Sequence, residues 1–209
     1  MNHLDIGCGD VPRNPYHCKN LFAVDTRALN NLKSNAEQFT YRQSNFAIDP
    51  LPFESQFFDS VSAFDVIEHI PRQLYIGDRG MVYPFINLMN EIHRVLKPGG
   101  VFLATTPGFP RQEAFQDPTH VNIITLNTAL YFNSESPLAA MYGFTGAFEI
   151  QMNKFCVRNN YMDRHIGATR AFLRRWHRKL FKGGWPHIIW EFKALPVSSC
   201  RITDDRREA

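Results

Sequence analysis

The sequence predicts an open, mostly parallel α/β sheet, and three observations carry that expectation. Short apolar runs alternate with helix-compatible stretches over roughly the first hundred residues, the pattern of parallel strands joined by crossovers. Several of these runs stop at glycine or aspartate, as strands do when they open into ligand-facing turns. The last two apolar runs flank a long basic excursion, which suggests an antiparallel pair at the sheet edge.

The elements follow in order. His3 to Ile6 is an apolar run ending in Gly7-Cys8-Gly9, a strand entering a turn, and Leu21 to Val24 is a second strand that stops at Asp25. A helix is expected over Ala28 to Phe39, then a weak third strand, Phe46 to Ile48, closing at Asp49-Pro50. Phe58 to Phe64 reads as the fourth strand and runs into Asp65-Val66-Ile67-Glu68-His69. Phe85, Leu88, Met89, Ile92, Val95 and Leu96 recur at helical spacing, so this helix has one apolar face. Lys97-Pro98-Gly99-Gly100 breaks it, and Val101 to Thr105 resumes as a buried strand ending at Pro107-Gly108. A loop over 108–122, a helix near Leu126 to Tyr131, and strands at Phe148 to Val157 and His187 to Leu195 complete the reading. Between the last two strands a basic helix is expected over Asp163 to Phe181, within an excursion at about 158–185.

Composition bounds the function. The 209 residues are 44% hydrophobic and 21% charged, enough for one globular domain. No apolar run reaches the roughly 18 residues of a membrane span, and no basic-then-apolar leader opens the chain. Cys8, Cys18, Cys156 and Cys200 show no metal spacing and read as reduced thiols of a cytoplasmic protein. A net charge of +3 does not by itself imply a nucleic-acid partner.

Ligands of open parallel sheets bind beyond the carboxyl ends of the strands, where the strand order reverses. Gly7 and Gly9, with Cys8 between them, let the backbone approach a ligand closely. Asp25, followed by Thr26, ends strand two and is placed to bond a ribose diol. Asp49 ends strand three beside Phe46 and Ile48, where adenine would lie, and Phe64-Asp65 ends strand four. A dinucleotide site would need a third glycine where Pro12 stands, and Asp5 would oppose a pyrophosphate. The same acid suits a cofactor carrying a sulfonium and an ammonium group.

These segments resemble a known family. LDIGCGD at 4–10, AVDTRA at 23–28, LPFESQFFDSVSAFDVIEHIPR at 51–72 and EIHRVLKPGGVFLATTPG at 91–108 look like the successive motifs of class I methyltransferases. The nearest resemblance is to type-11 domains, which include quinone-biosynthesis enzymes. FQDPTHVNIIT and MYGFTG are similar to segments of uncharacterised bacterial members. The resemblance implies a Rossmann-like seven-stranded sheet, mostly parallel with an antiparallel last strand and helices on both faces. It implies S-adenosylmethionine as cofactor, with Asp5, Gly7 and Gly9 at its methionine end, Asp25 at the ribose and Asp49 at the adenine amino group. Relatives usually carry residues ahead of strand one, so weak cofactor binding is expected unless another segment closes the site.

Methyl transfer requires alignment, exclusion of water and removal of a proton from an oxygen or nitrogen acceptor. Candidate bases are His120, His69 and Asp117, in the loops after strands four and five. Asp65, Glu68, His69 and His120 also form a candidate set for a divalent metal that would polarise a hydroxyl. The expected acceptor is a small molecule, or one linked to lipid or sugar. Nucleic acid is disfavoured, since Ala63-Phe64-Asp65 stands where amino-directed DNA enzymes carry Asn-Pro-Pro-Tyr. The 164–182 helix, with Arg170, Arg174, Arg175, Arg178, Lys179 and Lys182 around a Phe172-Trp176 face, is a candidate contact with an anionic membrane surface. The alternative to an enzyme is a cofactor-binding partner subunit with little turnover.

Overall fold

A seven-stranded sheet organises the chain. The computed structural model describes residues 1–29, 31–34, 36–156 and 186–197. The basic helix expected at 163–181 and Cys200 lie outside the described residues.

The strands are β1 (Asn2–Ile6), β2 (Asn20–Asp25), β3 (Gln38–Gln43), β4 (Phe58–Phe64), β7 (Leu96–Pro107), β8 (Phe148–Cys156) and β9 (His187–Ala194), in the spatial order β3-β2-β1-β4-β7-β9-β8. A two-stranded hairpin of β5 (Leu74–Ile76) and β6 (Gly80–Val82) precedes the helix α1 (Pro84–Val95). The strands from β3 to β7 run parallel, and β9 is antiparallel to both of its neighbours. The order reverses between β1 and β4, so the sheet opens there at its carboxyl edge.

The main core lies between the sheet and α1. Leu4, Ile6, Val61, Phe102, Ile188, Trp190 and Phe192 meet Leu88, Met89 and Ile92 of the helix, all buried. Pro84 at the first helical position suits a helix start, and His93 and Arg94 in the last turn suit its end. The other face carries a smaller group, Phe64, Leu103, Cys156 and Ile189, with Tyr16 and Met152 against it. Among the described residues α1 is the one α-helix.

Three local expectations are corrected. No described residue of the expected helix 28–39 is helical, and β3 occupies its end. Residues 30–35 are rich in Asn and Ser, whose side chains compete for backbone hydrogen bonds, and the described residues 31–34 carry no regular secondary structure. Phe46 to Ile48 is a turn rather than a strand, with Ile48 N–H and Asp49 N–H both donating to the Asn45 carbonyl at 3.0 and 2.9 Å. β3 was hidden because it is an edge strand with a polar, largely exposed sequence. The helix near 126–131 is 3-10 rather than α, spanning Leu126–Phe132 behind a reciprocal Thr125–Thr128 cap.

The breaker Lys97-Pro98-Gly99-Gly100 does not form a separate loop. It bulges within β7, with Gly99 at φ +81°, between the Phe58–Leu96 and Ser60–Val101 pairs.

Trp190 is fully buried and its indole N–H finds no hydrogen-bond partner among the described residues. Trp190→Phe, which removes that donor and retains a ring, should change stability by about 1 kcal/mol or less in chemical denaturation. Trp190→Ala, which opens a cavity, should cost about 3–5 kcal/mol.

Candidate active site

The carboxyl ends of β1, β2 and β4 converge on one strip of backbone. Gly7 and Gly9 both adopt left-handed φ, +64° and +58°. The Gly7 amide donates to the Val24 carbonyl at 2.8 Å, folding the turn over β2. A Cβ on Gly7 would stand 2.4 Å from Val66 Cγ2, so this turn touches the loop after β4 and admits no side chain there. Cys8 is buried between them, its thiol pushed up to about 12 by burial and by the carboxylates of Asp5 and Asp25. That thiol is inert as a nucleophile.

Asp5 is fully buried on β1. Its carboxylate accepts the Ser62 hydroxyl at 2.7 Å and the Arg13 amide at 2.8 Å. Burial nevertheless pushes its carboxyl up to about 6. Behind it runs a polar chain inside the sheet. Ser62 donates to Asp5, so it accepts His3 Nε2–H at 3.0 Å, which leaves His3 Nδ1 to accept the Ser60 hydroxyl at 2.7 Å. Cys18 Sγ closes the chain 3.7 Å from Ser60 Oγ. Burial holds His3 neutral, its pKa lowered to about 3.

Asp25 is also buried, and its carboxylate is fully engaged at the strand end. It accepts Gly9 N–H at 3.0 Å, Arg27 N–H at 3.0 Å and the Arg27 guanidinium at 3.1 and 3.3 Å. Burial alone would raise its pKa, but the hydrogen bonds from the Arg27 side chain and amide and from Gly9 outweigh it and hold the carboxyl low. Thr26 is exposed, with its carbonyl bonded to Gln43 at 3.0 Å. Asp49 does not end a strand: it is exposed on the turn after β3. That turn begins beside β2, where Ser44 N–H donates to the Asp25 carbonyl at 3.0 Å. Asn45, which opens the turn, was missed in the sequence because β3 was misplaced. Phe64 is buried under the Arg13 guanidinium, 5.0 Å from its ring.

On the far side of the switch point the structure brings Glu68, His69 and His120 together, with one ligand atom of each within 4.8 Å of the others. The rings of His69 and His120 meet edge to face at 4.8 Å. Glu68 is buried and accepts the Thr106 hydroxyl at 2.9 Å. Its own carbonyl accepts both Val121 N–H and Asn122 N–H at 2.9 Å, which clamps the loop after β7 onto the loop after β4. His69 Nδ1 bonds the Thr119 hydroxyl at 2.9 Å, and His120 Nδ1 lies 3.3 Å from the Ala114 carbonyl. Asp117 is 4.0 Å from His120 Nε2 and is held low by the Thr119 hydroxyl and amide.

Asp65 does not join that group. Its backbone is left-handed at φ +57°, and its carboxylate lies 3.1 Å from His187 Nε2. His187 opens β9, and because β9 is antiparallel its first residue reaches the same edge as the parallel strands' last ones. Sequence reasoning missed His187; the signal available was a histidine at the start of the one reversed strand.

The two buried groups on β1 titrate in opposite senses. The folded chain protonates Asp5 near 6 rather than 3.8, so Asp5 costs stability at neutral pH and that cost fades as pH falls toward 3.8. His3 protonates near 3 in the folded chain against 6.5 unfolded, so its contribution is present above 6.5 and is lost as pH falls toward 3. Asp5→Asn should therefore melt higher than the parent at pH 7.5, by at most about 3 kcal/mol, with the margin shrinking toward pH 4 in a thermal-melt series.

Residues 4–104 match the family described as a methyltransferase domain. No curated protein sequence matches the chain. Among solved structures, an S-adenosylmethionine-dependent methyltransferase from Mesorhizobium loti is similar at a TM-score of 0.52 and 14% identity, over 92% of this chain and 90% of that one. A SAM-dependent methyltransferase from Archaeoglobus fulgidus is similar at 0.52 and 14%, over 92% and 85%. Phosphoethanolamine N-methyltransferase 2 of Haemonchus contortus, solved with S-adenosyl-L-methionine, is similar at 0.52 and 19%, over 93% of this chain and 48% of that one. At these identities the likenesses show a shared fold, and the match over residues 4–104 points the same way. Residues 4–104, just under half of the chain, thus match a methyltransferase domain, and the chain shares its fold with S-adenosylmethionine-dependent methyltransferases.

Proposed function

We propose that the chain is an S-adenosylmethionine-dependent methyltransferase that methylates an oxygen or nitrogen of a small-molecule acceptor, or of one linked to lipid or sugar. The observation that carries this reading is the pairing of two unlike halves across the switch point. Left-handed glycines and buried acids lie on the β1–β2 side, and a histidine-rich group lies on the β4–β7 side.

The residues present fit the cofactor. Backbone at Gly7 and Gly9 offers close approach without side chains, and buried Asp5 offers negative charge to a cationic ligand. In this reading Asp5, Gly7, Cys8 and Gly9 hold the methionine end, Asp25 and Thr26 the ribose, and the turn at 45–49, with Asp49, the adenine edge. Phe64 and Asp65 line the side toward β4. S-adenosylmethionine supplies the reactive methyl on its sulfonium. Arg27 now occupies Asp25, and its half-exposed side chain must swing aside for ribose hydroxyls to replace it.

Proton removal falls to His120, with His69 and Asp117 beside it. His120 Nδ1–H donating to the Ala114 carbonyl leaves the lone pair on Nε2, the tautomer a general base needs. A second reading is favoured by one observation, the 4.8 Å convergence of Glu68, His69 and His120. A divalent ion there would polarise an acceptor hydroxyl. Asp65, bonded to His187, is not part of that set. The basic 164–182 stretch is proposed to meet an anionic membrane surface, to be tested by liposome flotation. No helix among the described residues is long and apolar enough to cross a membrane.

Incubation with methyl-labelled cofactor and fractionated cell extract tests the reading: label should pass to a low-molecular-weight or lipid-linked fraction. Transfer only to protein or nucleic acid would overturn it. Asp25→Ala should weaken cofactor binding about ten- to a hundredfold in calorimetry, the loss of charge-assisted hydrogen bonds. Chelation followed by elemental analysis decides the ion; full label transfer by metal-free protein would remove it.

A further inference from the structure

A second concavity lies on the acceptor side, about 420 Å³ in volume, and neither the cofactor nor the histidine group uses it. Its size falls in the range of small-molecule sites. It is walled by the two connections that leave the carboxyl ends of β4 and β7. Residues 72–73 and 83–86 come from the first, and 122–132 with Tyr142 from the second. The two walls are the same segments that Glu68 clamps together, and Asn122 belongs to both places. Its amide N–H donates to the Glu68 carbonyl at 2.9 Å, its side-chain amide donates to the Ile67 carbonyl at 3.0 Å, and it lines the cavity. The cavity therefore backs directly onto the turn that carries Glu68 and His69.

Its chemistry is mixed in a specific way. Phe85, Ile86 and Phe132 supply a purely apolar floor, with the two phenyl rings edge to face at 5.5 Å. Tyr83 and Tyr142 stand together at 5.6 Å, and Tyr131 is half-exposed nearby. Around them sit uncharged amides and hydroxyls, among them Asn122, Thr125 and Asn127. Among the described residues the one charged lining side chain is Arg72, held by the Asn122 side chain at 2.7 Å and by the Ile123 carbonyl. Among the described residues the lining holds no carboxylate and no lysine.

A cationic ligand would meet Arg72 with no acid to offset it. A hydrocarbon chain or a plain aromatic ring would cover the floor but strand the amides and hydroxyls, each of which costs free energy when desolvated without a partner. A ring with one C–H face and an edge of hydroxyls satisfies both: its face packs on aromatic side chains and its edge exchanges hydrogen bonds with Asn, Thr, Tyr hydroxyl and guanidinium groups. We infer that this cavity binds a neutral glycosyl unit of the acceptor, stacked on Tyr83 and Tyr142 and hydrogen-bonded by Arg72 and Asn127. The inference rests on the acceptor reading above and narrows its class.

Saturation-transfer NMR on the full chain, with a panel of neutral methyl glycosides and with phenol as the competing planar probe, tests it. At least one glycoside should show transfer with the parent protein. Tyr142→Ala should reduce that transfer at least fivefold and Arg72→Met at least threefold. Both positions are exposed, so the variants should fold, and unchanged cofactor affinity by calorimetry would confirm that they do. No transfer to any glycoside, transfer unaffected by both variants, or transfer to phenol alone would overturn the glycosyl assignment and leave cofactor binding untouched. Failure of the parent protein to bind cofactor would instead overturn the enzyme reading, so the two failures are separable.

Discussion

The carboxylate of Asp5 is the constraint around which the rest of the site is arranged. It lies fully buried inside the strand next to the switch point, where burial pushes its carboxyl up to about 6 and makes its charge expensive. The fold answers with hydrogen bonds from two directions. Ser62 reaches across from β4, and the Arg13 amide closes down from the turn after β1. Those bonds bind β1, β4 and the cofactor turn into one unit. The line of Ser62, His3, Ser60 and Cys18 continues the unit through the sheet, each donor matched to one acceptor. A purely apolar β1 would be more stable at neutral pH. In the proposed function an acid in that place would serve a cationic ligand at the cost of folding free energy, which is how functional sites commonly depart from the stability optimum.

The same economy appears on the acceptor side, where no single strand end builds the site. Two long connections meet, and the Glu68 carbonyl receives two amides from the second of them. That clamp brings His120, distant in sequence, onto the ring of His69. It also forms the inner wall of the aromatic cavity through Asn122. The histidine group and the aromatic cavity thus share one backbone joint, so a change to the joint would move both together.

Much of the frame was legible because it depends on local pattern. β1, β2, β4, α1, β7, β8 and β9 stand within a few residues of their expected places, since apolar periodicity and breakers mark them. The failures have a common cause. β3 buries little, so it carries almost no apolar signal, and its misplacement shifted the expected strand end to Asp49. The helix expected over 28–39 has helix-compatible spacing, but its middle is rich in Asn and Ser, which compete with the helical hydrogen bonds.

The sequence by itself determined the strand-end glycines and acids, Asp5, Gly7, Gly9 and Asp25, because these act within a few residues of a strand and the backbone there dictates what can stand. It also marked His69 and His120 as chemistry-bearing. Only the tertiary structure decided which of these side chains meet. Asp65 and His187 are brought within 3.1 Å by a strand that runs backwards, a pairing no spacing along the chain encodes. Asp25 is seen to be occupied by Arg27, and Asp5 to be a buried, reluctant charge, because desolvation and hydrogen-bond competition depend on every neighbour at once. Residue types at strand ends are a local matter, whereas the sharing of their lone pairs is settled by packing.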